Sequence, residues 1–143
     1  LPLLAFEGHS GFPLAAWRRP GTVHAACGVV EVVQAIVTRL RQVWPDLVIR
    51  VRGDTGLAVP RLYDYCEDEH LGYALGFAGN APLHRATATA LADLQLYYTF
   101  YGRRDPHVQR FENVPDYQAD GWRQPRRVVV GVPPSGGLRL STA

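Results

Sequence analysis

A chain of 143 residues, 47% of them apolar, suits one globular domain with its own core. No run of about 18 apolar residues is present, so no membrane-spanning helix is expected, and two cysteines, Cys27 and Cys66, exclude a disulfide framework and set a reducing cytoplasm as the expected compartment. A formal net charge of +2 is too small to require a polyanionic partner, and the fact that all 15 basic residues are arginine suits phosphate recognition but is accounted for by a GC-rich coding sequence.

The opening Leu1-Pro2-Leu3-Leu4 lacks the basic segment and cleavage pattern of a signal peptide, and the chain has no Met, so an excerpt of a longer protein is expected. Residues 2–7 and 12–17 are short apolar runs around Gly8-His9-Ser10-Gly11, which predicts a β-hairpin ended by Arg18-Arg19-Pro20-Gly21. Over residues 25–44 the period becomes helical: Val29, Val33, Ile36, Leu40 and Val43 share a face, and Pro45 stops the helix. Residues 47–52 read as a strand with Leu47, Ile49 and Val51 on one face and Val48, Arg50 and Arg52 on the other. A helix over residues 60–70, with Pro at its first turn, and a strand over 73–77 complete an α/β unit with parallel neighbours. A helix is expected over 82–101 and a polar, aromatic loop with short strands over 102–127. A strand over 127–132, a turn over 133–137 and one more strand from 138 follow.

Asp54 leaves the 47–52 strand between Gly53 and Gly56. Such a carboxylate has backbone room beside it for a large ligand. It suits Mg²⁺, which takes one or two carboxylates and fills its octahedron with water and phosphate oxygens. The competing reading, a turn aspartate that caps the helix after it, stays open on spacing alone. Asp54 shares the parity of Arg50 and Arg52, and positive charge beside it would favour its ionised form. The tripeptide Arg52-Gly53-Asp54 is also a cell-adhesion motif, which three residues match by chance.

His24, Cys27, Cys66 and His70 have zinc-compatible spacings, but they sit in two separate helices, and an ordinary core cysteine with surface histidines is favoured. Asp64, Glu67, Asp68 and Glu69 surround Cys66, blunt it as a nucleophile, and read as a solvated helix face. The arginines Arg18-Arg19, Arg103-Arg104 and Arg123, Arg126 and Arg127 form basic sets. The last is interleaved with Tyr117 and Trp122, a composition that can contact phosphates and stack on bases or equally form a solvated loop.

Several pieces then stand in order. They are the Leu1-Pro2-Leu3-Leu4 opening, Arg19-Pro20-Gly21 with His24, Arg39-Leu40-Arg41 before Trp44-Pro45, and Arg52-Gly53-Asp54-Thr55-Gly56. Cys66-Glu67, Tyr73 through Gly76 to Asn80, Tyr117, Trp122 and Arg126-Arg127-Val128-Val129 follow. In this order the chain resembles the DDE-class transposases of bacterial insertion sequences, specifically the DDE group 1 transposase domain. The resemblance implies an α/β, ribonuclease-H-like mixed sheet flanked by helices, incomplete here, with an insertion after the fifth strand. Residues 1–80 would be a partial catalytic core, and 81–143 the insertion region between the second Asp and the Glu. In that family an Asp, Asp, Glu set holds two Mg²⁺ ions, with Mn²⁺ as a substitute, for DNA cleavage and strand transfer during transposition. Asp54 would be the second Asp, a catalytic and metal-binding residue. Arg18, Arg19, Arg123, Arg126 and Arg127 would bind DNA.

The implied partners are double-stranded DNA, at transposon ends and target, and a second copy in a full-length homodimer. The implied compartment is the bacterial cytoplasm at the nucleoid, with no membrane. No acid in the chain fits the first Asp or the Glu; Glu7 lies in the hairpin and Glu112 before the tryptophan loop. The chain is therefore expected to be inactive alone, or to persist as a non-catalytic DNA-binding remnant that interferes with full-length enzyme. Without a first strand, unpaired edges are expected beside the hairpin and beside residues 47–53.

Overall fold

The computed structural model describes residues 2–101, 110–132 and 139–142. β1 (Leu3–Phe6) and β2 (Pro13–Trp17) form the expected antiparallel hairpin, with Leu3 opposite Trp17. Its turn is tied by Glu7, whose carboxylate accepts hydrogen bonds from His9 N, at 2.9 Å, and from Ser10 N and Oγ, each at 2.5 Å. These bonds, that to the Ser10 hydroxyl foremost, hold the exposed Glu7 carboxyl down at about 2.

α1 spans Val29–Val43, four residues shorter at its start than the period suggested. Gly28 explains the start. It adopts φ 78°, which side chains rarely tolerate, and the Trp17 ring fills the space where a Cβ would stand, 2.7 Å away. Val29 and Val37 are buried, while Val43 is 54% exposed.

β3 (Arg50–Gly53) begins three residues later than expected, because Leu47 and Val48 are exposed ahead of it. α2 (Pro60–Asp68) carries the chain over to β4 (Gly72–Gly76), which pairs with β3 in parallel, Val51 opposite Tyr73 and Gly53 opposite Leu75. The parallel unit read from the sequence is present. The helix expected over 82–101 is instead two, α3 (Ala81–Ala86) and α4 (Ala88–Tyr101). Between them the Thr87 hydroxyl donates back to the Leu83 carbonyl at 2.9 Å, a local bond that competes with regular helix.

The region read as a loop with short strands departs in the length of its strand. β5 covers Arg110–Tyr117 and pairs antiparallel with β6 (Arg126–Val132). β7 (Arg139–Thr142) lies between β6 and β4, giving the order β3-β4-β7-β6-β5. The turn expected over 133–137 lies outside the described residues. The mixed α/β class therefore holds, with strands from both sides of position 80 sharing one sheet.

Leu62, Tyr63 and Cys66 of α2, Leu75 of β4, and Val128 and Val130 of β6 form the centre of the core and are fully buried. Thr142 of β7 is buried there too, its hydroxyl donating to Tyr63 Oη at 2.9 Å. No helix among the described residues is long and apolar enough to cross a membrane.

Candidate active site at Asp54

β3 runs outward with Arg50 and Arg52 exposed and Val51 turned toward the core. Gly53 ends it at a tight point: a Cβ there would stand 3.1 Å from both Leu57 Cδ1 and Leu75 Cδ2. Asp54 then starts a single 3-10 turn, Thr55–Leu57, and its Oδ1 accepts a hydrogen bond from Gly56 N at 3.0 Å. The capping reading is therefore realised, by one oxygen of the carboxylate. The carboxylate remains exposed.

Two further glycines shape this corner. A Cβ on Gly56 would meet Asp54 Oδ1 at 3.2 Å, and one on Gly76 would meet Thr55 N at 2.7 Å. Gly76 was not singled out from the sequence as a supporting residue. The available signal was its place at the end of β4, beside the glycine that ends the parallel neighbour. No ion pair joins Asp54 to Arg50 or Arg52.

Among the described residues, no group of three or more His, Cys, Asp and Glu side chains stands close enough to hold a metal ion. The zinc-like spacing does not converge: Cys27 is exposed and Cys66 buried. Burial, with Glu67 adding to it, pushes the Cys66 thiol up to about 11, which rules it out as a nucleophile at neutral pH.

The arginines divide sharply. Arg18 and Arg127 are exposed, Arg127 donating to Asn113 Oδ1 at 2.7 Å. Arg19 is half-buried and ties the approach to α1 by donating to the Ala25 and Cys27 carbonyls. Arg123 is exposed but pairs with Asp68 at 2.8 Å. Arg126 departs from the expected role altogether. Its side chain is 1% exposed, and it donates from Nε to Glu67 at 2.6 Å and from Nη2 to Asp64 at 2.7 Å. Its guanidinium also lies over the rings of Tyr63, at 4.9 Å, and Trp122, at 5.0 Å. No phosphate can reach it there.

Two related expectations change with it. Trp122 is buried, and Tyr117 packs edge-on against it at 5.8 Å, so these rings build the core and do not stack on bases. The acidic run of α2 is not simply solvated. Asp64, Glu67 and Asp68 hold Arg123 and Arg126, and Glu69 holds Arg41 at 2.6 Å.

The fold and this corner define an α/β protein that presents a capped, exposed carboxylate at the C-terminal end of a parallel strand, with two exposed arginines before it. The family model described as transposase DDE domain group 1 matches residues 1–137, and the chain belongs to that family. It is thereby a transposase domain with a transposition-related function, and domains of this kind generally use a divalent metal and act on DNA. No curated protein and no solved structure matches it. The metal does not fit the described residues alone. They bring one carboxylate to the corner, and one of its oxygens is already engaged by Gly56 N.

Proposed function

We propose that this chain contributes one acid, Asp54, to the apparatus that cleaves and rejoins DNA during transposition. The observation that carries the proposal is the placement of that carboxylate. It is exposed at a strand end, and Gly56 beside it carries no Cβ, which would stand 3.2 Å from its Oδ1. In this reading residues 1–80 form a ribonuclease-H-like catalytic core. Residues 81–143 form an insertion whose β7 returns to pair with β4. The remaining acids for Mg²⁺ or Mn²⁺ come from outside the described residues.

Double-stranded DNA is the proposed partner, at transposon ends and target, in a homodimer within the bacterial cytoplasm at the nucleoid. Arg18, Arg123 and Arg127 are exposed at the surface and suit phosphate contacts, with Arg19 positioning the segment beside Arg18. Arg126 leaves this set. The test is nicking of transposon-end DNA by a full-length transposase carrying this segment. Loss of nicking in Asp54→Asn is expected, and retention would remove Asp54 from the chemistry.

A second reading, a DNA-binding remnant without catalysis, is favoured by the lack of an acid cluster among the described residues. It predicts that the chain alone binds DNA with a steep loss of affinity as salt rises, since each phosphate contact releases counterions. It also predicts that the chain lowers nicking by the full-length enzyme when the two are mixed.

A further inference from the structure

The segment between the hairpin and α1 is clamped, and it touches the turn that carries Asp54. Arg19 donates from Nη1 to the Ala25 carbonyl and, at 2.9 Å, to that of Cys27, while Cys27 N donates to the His24 carbonyl at 2.9 Å. The Trp17 ring closes over Gly28. From this clamp the Ala25 methyl reaches Gly56: a Cβ added to Gly56 would stand 3.2 Å from Ala25 Cβ and 3.2 Å from Asp54 Oδ1. Ala25 and the Asp54 carboxylate therefore border the same glycine, and His24 is the next residue along the chain from Ala25.

His24 is exposed, and its ring is oriented: Nδ1 accepts a hydrogen bond from Ala26 N at 3.1 Å. A neutral imidazole that accepts at Nδ1 carries its proton on Nε2. Among the described residues Nε2 has no hydrogen-bond partner. The turn does not need an imidazole. Arg19 and Cys27 N hold it through main-chain carbonyls, and Asp or Asn can accept from the N–H two residues on with a shorter side chain. What the imidazole adds is a donor fixed at the surface of the segment that meets the Asp54 turn.

We propose that His24 contacts the DNA strand on which Asp54 acts, donating from Nε2 to a phosphate oxygen. The contact rests on the reading of Asp54 as an acid of DNA cleavage. A phosphodiester presents charged acceptors and no donor, which an Nε2–H complements. The tie from Ala26 N fixes the ring before DNA arrives, so little rotamer freedom is lost on contact.

The test uses a full-length transposase carrying this segment and transposon-end DNA. His24→Asn keeps an acceptor near the Nδ1 position and loses the outer donor. His24→Gln places an amide donor near the Nε2 position and loses the inner acceptor. His24→Asn is expected to lower nicking about tenfold, the worth of one hydrogen bond to a charged oxygen, with an unchanged urea midpoint, and His24→Gln to retain most of the activity. Metal-free binding of the same DNA, measured in an Asp54→Asn background, should weaken by a similar factor with His24→Asn. That arm reads the contact even if Asp54 proves dispensable for nicking. Neutralising single phosphates as methylphosphonates should then find one linkage at which His24→Asn costs no further affinity. Equal DNA affinity with and without His24→Asn, or the same loss at every neutralised linkage, would overturn the proposal. So would a larger loss with His24→Gln than with His24→Asn, because the ring would then serve the turn alone.

Discussion

Gly76 presses on the Asp54–Thr55 peptide: a methyl group on it would stand 2.7 Å from Thr55 N and 3.4 Å from Asp54 Cα. Leu75 beside it pairs in register with Gly53, so β3 and β4 end together and the last residue of β4 supports the turn that carries Asp54. The atoms an added methyl would meet are main chain, which cannot rotate aside. Gly76→Ala is therefore expected to cost about 1–3 kcal/mol in urea unfolding. Gly8→Ala, where nothing lies within 4 Å, should change stability by less than about 0.5 kcal/mol. Equal, small effects at the two positions would remove Gly76 from the support of Asp54.

Asp54 carries two roles that substitution can separate. Its Oδ1 caps the 3-10 turn through Gly56 N, and its charge is available to a ligand. Asn keeps the accepting oxygen and loses the charge; Ala loses both. Asp54→Asn should leave stability within about 0.5 kcal/mol of wild type, while Asp54→Ala should lose about 0.5–2 kcal/mol. Thermal or urea unfolding reads the difference directly. Equal stability losses would mean that the charge itself, and not the cap, stabilises the turn.

The strand-end position of Asp54, the hairpin and the parallel α/β unit were legible because each rests on local signals. Gly8-His9-Ser10-Gly11 turns, Pro60 starts α2, and the alternation through Val51 shows two faces. Short strands were expected in this region, but the place and length of β5 were not legible, because Pro115 interrupts the run and polar residues such as Glu112 and Asn113 mask its period; its pairing with β6 supplies what the local pattern lacks. The fate of Arg126 was hidden for a related reason. The acids that hold it lie about sixty residues earlier, on α2, and nothing in the run around Trp122 signals that α2 lies against it. Trp122 and Tyr117 suited base stacking or a solvated loop equally, because composition alone does not distinguish a buried ring from an exposed one.

Arg126 should therefore behave as a residue of the core. Arg126→Met would leave Asp64 and Glu67 without their buried partner, and removing one member of such a set typically costs about 3–5 kcal/mol. Arg127→Ala, at an exposed position with one hydrogen bond to Asn113, should cost no more than about 1 kcal/mol. DNA affinity of the folded variants should fall with Arg127→Ala and be unaffected by Arg126→Met. A stability loss below about 1 kcal/mol for Arg126→Met would show that the ion pairs and ring contacts add little.

Glu67 links this cluster to pH. Burial alone would raise its carboxyl, but hydrogen bonds from Arg126, Tyr73 and Gln124, together with the Arg126 charge, outweigh burial and hold it below the ordinary 4.5. Asp68 is shifted the same way from 3.8 by Arg123, though at the surface, where solvent screens the effect. A carboxyl that is more acidic when folded binds protons more readily in the unfolded chain. Its contribution to stability is fully present above the unfolded value and is lost as pH falls through the folded one. The Glu67 contribution should therefore begin to decline as pH drops toward 4.5 and continue to decline below it. Glu67→Gln keeps the shape and an accepting oxygen but cannot titrate. It should be less stable than wild type at neutral pH, and the gap should narrow steadily below pH 4.5, as read from urea midpoints across that range. A gap that stays constant down to acid pH would mean that Glu67 titrates alike in the folded and unfolded chain, and that Arg126 is held by geometry without help from its charge.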